Sequence, residues 1–246
     1  MAVATLIVAA GCSPAGEPDG SSTSLTLVAA DGMKIAATER RSAISPSSGL
    51  ILVHMFGSNR NAWSAFAARA QREGYSVIAV DMRGHGDTAA LNPNTPQYRG
   101  FTPQDWLDVL HDIEAARTAL VKGGADPARI GVVGASIGAN LAAAYAAEHE
   151  NIAALVLLSP GQDYKGVGVA EAFERYGKRP SLLVTTEGDR YAADTCRALH
   201  RSATGFSELR EFAGMYHGTE MLDAIPNATV QILQWCDTVL VEAPQG

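Results

Sequence analysis

Five short, unbroken apolar runs constrain this chain most: Leu50-Ile51-Leu52-Val53, Ser76-Val77-Ile78-Ala79-Val80, Ile130-Gly131-Val132-Val133, Ala154-Leu155-Val156-Leu157-Leu158 and Leu182-Leu183-Val184. A strand with one wet face alternates apolar and polar residues, so a continuous run is expected of strands covered on both faces, as in parallel sheets. Between and after these runs lie segments with helical spacing: Ala62 to Arg72, Pro103 to Lys122, Ile137 to Glu148, Ala170 to Tyr176, Ala192 to Ser202 and Pro226 to Val241. This alternation predicts an α/β fold of βαβ units, with helices on both faces of one mostly parallel sheet. Ahead of them, Ser24 to Ala30 and Lys34 to Arg40 read as a hairpin turned at Asp31-Gly32, where glycine supplies a positive φ. With a last strand near Glu208 to Phe212, the sheet has eight strands.

At 246 residues the chain is long enough for one well-buried core and short for two ordinary ones. Nineteen basic against 26 acidic residues, a net charge of −7, leave no basic footprint of the kind that phosphate neutralisation requires. Nucleic acid is therefore not the expected ligand, and a small uncharged molecule fits better. Cys12, Cys196 and Cys236 lack zinc-site spacing, and no metal or organic cofactor is implied.

Ala2 to Ala10 form an apolar run of signal-peptide length, too brief to span a bilayer. The following Val8-Ala9-Ala10-Gly11-Cys12 resembles the bacterial lipobox, whose cysteine is lipidated and becomes the new N-terminus. Ser13 onward is a Ser/Gly/Pro/Asp tether of a composition that does not pack. The expected organisation is a signal segment over residues 1–12 with Cys12 lipidated, a tether over 13–23 and a single domain over 24–242, held at the membrane by lipid. The alternative is an apolar N-terminus on a cytoplasmic protein. In an oxidising compartment Cys196 and Cys236 are candidates for a disulfide, with two buried thiols as the equal alternative.

The strand ending at Val133 runs into Gly134-Ala135-Ser136-Ile137-Gly138 and then directly into an Ala-rich helix. A Gly-x-Ser-x-Gly at a strand-to-helix turn presents a strained serine at a helix N-terminus, with small flanking residues admitting the neighbouring chain. The plain alternative is a glycine-rich turn whose serine caps the helix. A nucleophilic serine needs a base, and the base needs an anion. Of six histidines, His217 lies in the loop after the last strand, while His111, His149 and His200 fall on helices. Asp189 follows the strand ending Thr185-Thr186, and Asp163 follows the one before it. Asp189 is preferred, because in the order serine, acid, histidine the acid sits one strand before the histidine. Its alternative role is to cap the helix beginning near Ala192. Two donors are expected for an oxyanion, the N–H of Ile137 and that of Phe56 in His54-Met55-Phe56-Gly57.

Taken together, the Ser136 elbow, His54-Met55-Phe56-Gly57 with Trp63 nearby, Gly74-Tyr75, Asp81-Met82-Arg83-Gly84-His85-Gly86, Gly188-Asp189 and His217-Gly218 make the chain from Ser24 to Val241 resemble an α/β-hydrolase-fold serine esterase. The resemblance implies scaffold roles for Asp81 and His85, and catalytic ones for Ser136, Asp189 and His217. Where the family usually has His-Gly at the oxyanion strand, this chain has His54-Met55. Only Ser159 to Ser181 lies where many members carry a cap domain, so no large cap is expected, as in dienelactone-hydrolase-like relatives, although those with a cysteine nucleophile differ from Ser136. An open site suits a small or short-acyl ester, with Phe56, Met55, Tyr164 and Tyr191 as candidate lining residues. A peptidase or amidase with the same residues, and a non-catalytic binding module, are the competing readings.

Overall fold

The computed structural model describes residues 20–241. The expected signal segment, Cys12 and tether residues 13–19 lie outside the described residues, as do residues 242–246. The first half of the domain runs β1 (Ser22–Val28), β2 (Lys34–Arg40), β3 (Ser47–Val53), α1 (Ser64–Arg72), β4 (Ser76–Val80), α2 (Gly86–Leu91), α3 (Pro103–Leu107), α4 (Val109–Lys122) and β5 (Ala125–Ala135). The second half runs α5 (Ile137–Glu148), β6 (Ile152–Leu158), β7 (Asp163–Tyr164), β8 (Val167–Gly168), α6 (Ala170–Tyr176), β9 (Ser181–Thr186), α7 (Arg190–Ser202), β10 (Ser207–Phe212), α8 (Glu220–Ala224) and α9 (Ala228–Leu240). Ser22 and Thr23, expected in the tether, already pair with β2.

Eight strands form one sheet in the order β1-β2-β4-β3-β5-β6-β9-β10. Only β2 runs against its neighbours; the other pairs are parallel. The unbroken apolar runs have the expected cause, since successive side chains enter opposite helical layers. Leu50, Leu52, Val77 and Ala79 pack with Phe66 of α1 and Leu233 and Trp235 of α9. Ile51, Val53, Ile78 and Val80 pack with Ile113 of α4 and Leu141 of α5. Each fully buried aliphatic side chain contributes roughly 1.5–3 kcal/mol on leaving water, so a one-residue slip of a central strand would exchange both layers at once. This is the α/β-hydrolase fold, and residues 159–181 form only the small β7–β8 hairpin and α6 rather than a cap domain.

The strand order also places the site. From β3 the chain crosses to β4 on one side, then returns to β5 on the other, and open α/β sheets build sites at such a reversal. Val53 pairs with Gly134, so the loops leaving β3 and β5 emerge side by side.

Three expectations are amended. The helix expected from Pro103 to Lys122 is divided at Asp108, where the His111 N–H bonds to the Asp108 carbonyl in a tightened turn. The helices α2 and α8 were not foreseen, being too short to show a helical period. Cys196 and Cys236 are free buried thiols in opposite layers of the sheet, so the bridge between them is not formed. No helix among the described residues is long and apolar enough to cross a membrane.

Candidate active site

Ser136 sits between β5 and α5 with φ 56° and ψ −124°, a conformation that typically costs a non-glycine residue about 1–3 kcal/mol. The surroundings impose it. The Ser136 N–H is drawn to the Leu158 carbonyl at 2.8 Å, and Gly134 and Gly138 leave room for the chain to fold back. A Cβ on Gly134 would strike the Gly138 carbonyl, and one on Gly138 would strike the carbonyl oxygens of Val53 and His54. Ser136 precedes α5 yet makes no side-chain capping bond, so its hydroxyl is spared for another partner.

That partner is His217, whose Nε2 lies 2.8 Å from the Ser136 Oγ. The imidazole Nδ1 lies 2.6 Å from Asp189 Oδ2. Asp189 precedes α7 and, like Ser136, makes no capping bond. Asp163 is elsewhere: its Oδ1 accepts the Gly166 N–H at 2.8 Å inside the β7–β8 turn. The loop holding His217 is pinned from two strands. Thr186 at the end of β9 donates to the Tyr216 carbonyl at 2.9 Å, and the Gly218 N–H donates to Ser159 Oγ after β6 at 3.0 Å. The Ser136 residue is 6% exposed and the His217 side chain 35% exposed, so the hydroxyl is recessed while the base borders solvent.

The loop after β3 carries the second expected donor. His54 is fully buried, and burial, with the neighbouring His85, pushes its pKa down to about 3, so the ring is neutral. Its Nε2 accepts the Met82 N–H at 3.1 Å, which leaves Nδ1 to donate to the Met55 carbonyl at 2.8 Å. That carbonyl also accepts the Ser58 N–H at 3.2 Å. Two donors thus fix one peptide plane, and in a trans peptide the Phe56 N–H points away from them. The Ile137 N–H, first in α5, has no intrahelical acceptor. The two groups are carried by the loops leaving the neighbouring strands β3 and β5.

Tyr164, Tyr191, Met55 and Phe56 have different surroundings. The Tyr164 ring meets the His217 ring edge-on at 6.2 Å and the Tyr191 ring at 5.7 Å. Tyr191 stands one layer back, its hydroxyl exchanging bonds with the Asp163 main chain at 3.0 and 3.1 Å. Met55 reaches the other way, where its Sδ accepts from Thr219 Oγ1 at 3.7 Å, so it joins the loop after β3 to the His217 loop. The Phe56 ring lies against Tyr98 and Trp106 with Lys165 Nζ 4.7 Å above it. Asp81 is buried scaffold, accepting the main-chain N–H groups of Arg60 and Asp87 and pairing with the Arg60 guanidinium. His85 stacks on Tyr98 behind the loop.

Asn140 was not singled out from sequence. It is fully buried on α5, one turn after Ser136, and donates to the carbonyls of Gly161 and Val167 at 2.8 and 2.7 Å while accepting the Gly161 N–H at 3.1 Å. The signal was available: an asparagine four residues after the serine in an otherwise apolar, Ala-rich helix must find partners. Ser159 and Thr186 carry no such signal, because a hydroxyl at a strand end is common.

A model of the family described as serine aminopeptidase, S33, matches residues 45–185. The chain belongs to this family. The S33 match takes in the loop after β3 and Ser136 but stops short of Asp189 and His217. A search of the curated proteins finds none that matches. Among solved structures, a thermostable carboxyl esterase from Bacillus coagulans is 13% identical, with 89% of this chain and 99% of that one covered at a TM-score of 0.71. A dienelactone hydrolase from Anabaena variabilis is 17% identical, with 90% and 98% covered at 0.68. An esterase from Pyrococcus furiosus is 16% identical, with 89% and 91% covered at 0.69. At these identities the likeness is one of fold, and with the family it makes the protein an α/β-fold hydrolase.

Proposed function

We propose that the protein is a serine hydrolase that cleaves small or short-acyl carboxylic esters through an acyl-enzyme on Ser136. The observation that carries this reading is the continuous contact from the Ser136 hydroxyl through the His217 ring to the Asp189 carboxylate. His217 takes the proton from Ser136 as the alkoxide adds to the ester carbonyl, and the N–H groups of Phe56 and Ile137 receive the negative oxygen. The imidazolium, held in place by Asp189, returns its proton to the departing alcohol. Water then repeats the sequence on the acyl group. The absence of a cap domain over residues 159–181 supports a compact, accessible substrate rather than a long lipid chain.

The family description favours a second reading, hydrolysis of an amide at a peptide N-terminus. The same residues serve both, so the substrates must separate them. Purified protein is assayed on p-nitrophenyl acetate and on a matched p-nitroanilide, beside Ser136→Ala. Ester turnover that disappears in the variant, with the anilide at least about 10²-fold slower, supports the first reading. Preferred anilide cleavage supports the second, and full activity in Ser136→Ala defeats both. Lipid anchoring through Cys12 belongs to the same proposal; recovery of Cys12→Ser in the soluble rather than the membrane fraction supports it.

A further inference from the structure

The end of β6 touches both halves of the site. The Leu158 carbonyl accepts the Ser136 N–H at 2.8 Å, and the Oγ of the next residue, Ser159, accepts the Gly218 N–H at 3.0 Å. Ser159 is fully buried, and its own N–H donates to the Val184 carbonyl of β9 at 2.8 Å. Its backbone is costly: φ is 49° ahead of Pro160, where sterics favour extended backbone. Of the four non-glycine residues with positive φ among the described residues, only Ser136 and Ser159 are buried. Glycine would carry this backbone without strain but has no hydroxyl, so the feature retained at that cost is the Oγ. Its partner Gly218 is also buried, and a Cβ there would lie 3.0 Å from Met55 Sδ, so the residue is fixed through its main chain. On the other side of His217, Thr186 donates to the Tyr216 carbonyl at 2.9 Å. The two bonds bracket the base.

We infer that Ser159 is a positioning residue for the base: its Oγ holds the Gly218 N–H, and through it keeps the His217 ring in line with the Ser136 Oγ. This rests on the acyl-enzyme reading above. His217 takes a proton from Ser136 in acylation and one from water in deacylation, so its placement governs both steps. A displacement of about 1 Å slows each by as much as about 10²-fold. Substrate binding does not depend on that proton transfer and is left alone. Because both steps slow together, the loss falls on kcat and on kcat/KM alike, and KM stays where it was.

Ser159→Ala and Ser159→Gly separate position from stability. Both remove the Oγ and leave the Gly218 N–H unpaired, but only glycine adopts the positive φ without strain. Ser159→Ala is therefore expected to unfold at a lower urea concentration than Ser159→Gly. With p-nitrophenyl acetate, kcat is expected to fall about 10- to 100-fold in both variants, with KM within about threefold of wild type. Formation and loss of acetylated Ser136, followed by quenched flow and peptide mass, should slow by similar factors. A kcat within threefold of wild type in either variant, a kcat that recovers with stability in Ser159→Gly, or a loss confined to KM overturns the assignment. If wild type hydrolyses the ester with no acetyl group on Ser136, the underlying reading fails instead.

Discussion

Asp189 accepts the Nδ1–H of His217 at 2.6 Å rather than capping the helix it precedes. Its carboxylate therefore holds the ring in the tautomer that leaves Nε2 unprotonated toward Ser136. Asp189→Asn places an amide there and favours the wrong tautomer, and the expected loss in kcat is about 10³- to 10⁴-fold with little change in fold. Asp163→Asn, whose carboxylate serves only the hairpin, should stay within a few-fold of wild type. Steady-state ester hydrolysis by the two variants checks both.

Ser136 and Asp189 show what could be read from the chain and what could not. Each precedes a helix, and a serine or aspartate there is most simply a cap. The spacing placed both residues at strand-to-helix turns but left open whether their side chains turn back to the helix or out to each other through His217. Only the fold decides, because the three are brought together by the ends of β5, β9 and β10, which are far apart in sequence. The parallel strands were legible because burial on both faces erases the alternation of polar residues. The β7–β8 hairpin was not, since two-residue strands have no period, and its anchors Asn140 and Gly161 act through contacts across the fold. Cys196 and Cys236 were undecided for a related reason: spacing does not tell which layer of the sheet a helix covers.

The two thiols now support a definite outcome. Burial pushes both thiols well above their ordinary range, and they lie in opposite layers. Peptides containing Cys196 and Cys236 should be unlabelled by iodoacetamide in the native protein and fully labelled after unfolding without reductant. Labelling that requires reductant would mean a bridge.

His54 gives a pH dependence. Its pKa falls from the ordinary 6.5 to about 3 on folding, mainly by burial. Between those values the unfolded chain binds a proton that the native chain refuses, so stability is present above pH 6.5 and is lost as pH falls toward 3. The slope from one such group is at most about 1.4 kcal/mol per pH unit. Urea unfolding at pH 7 and 4.5 should show the loss, with a shallower slope in His54→Asn.

Gly138 separates close approach from mere flexibility. Gly138→Ala drives a methyl into the carbonyls of Val53 and His54, which are main chain and cannot swing aside. The expected cost is about 1–3 kcal/mol, with at least tenfold lower activity from displacement of the oxyanion loop. Gly100→Ala, where nothing lies within 4 Å, should be neutral by the same denaturation and activity assays.

Asn140→Ala leaves a buried N–H and two buried carbonyls without their partner. Loss of about 1–3 kcal/mol in urea unfolding is expected, since unsatisfied buried groups cost more than a missing bond contributes. A stability within 0.5 kcal/mol of wild type, a span set by typical surface substitutions at roughly that size, would mean the hairpin is not held from α5.

The proposed acyl-enzyme is covalent, so it can be trapped. The protein is mixed with p-nitrophenyl acetate, quenched in acid within milliseconds and digested, and the modified peptide is sequenced by mass spectrometry. An acetyl group on Ser136 that is absent from Ser136→Ala is the predicted result. Ester hydrolysis that proceeds at full rate with Ser136 never acetylated would rule out the acyl-enzyme.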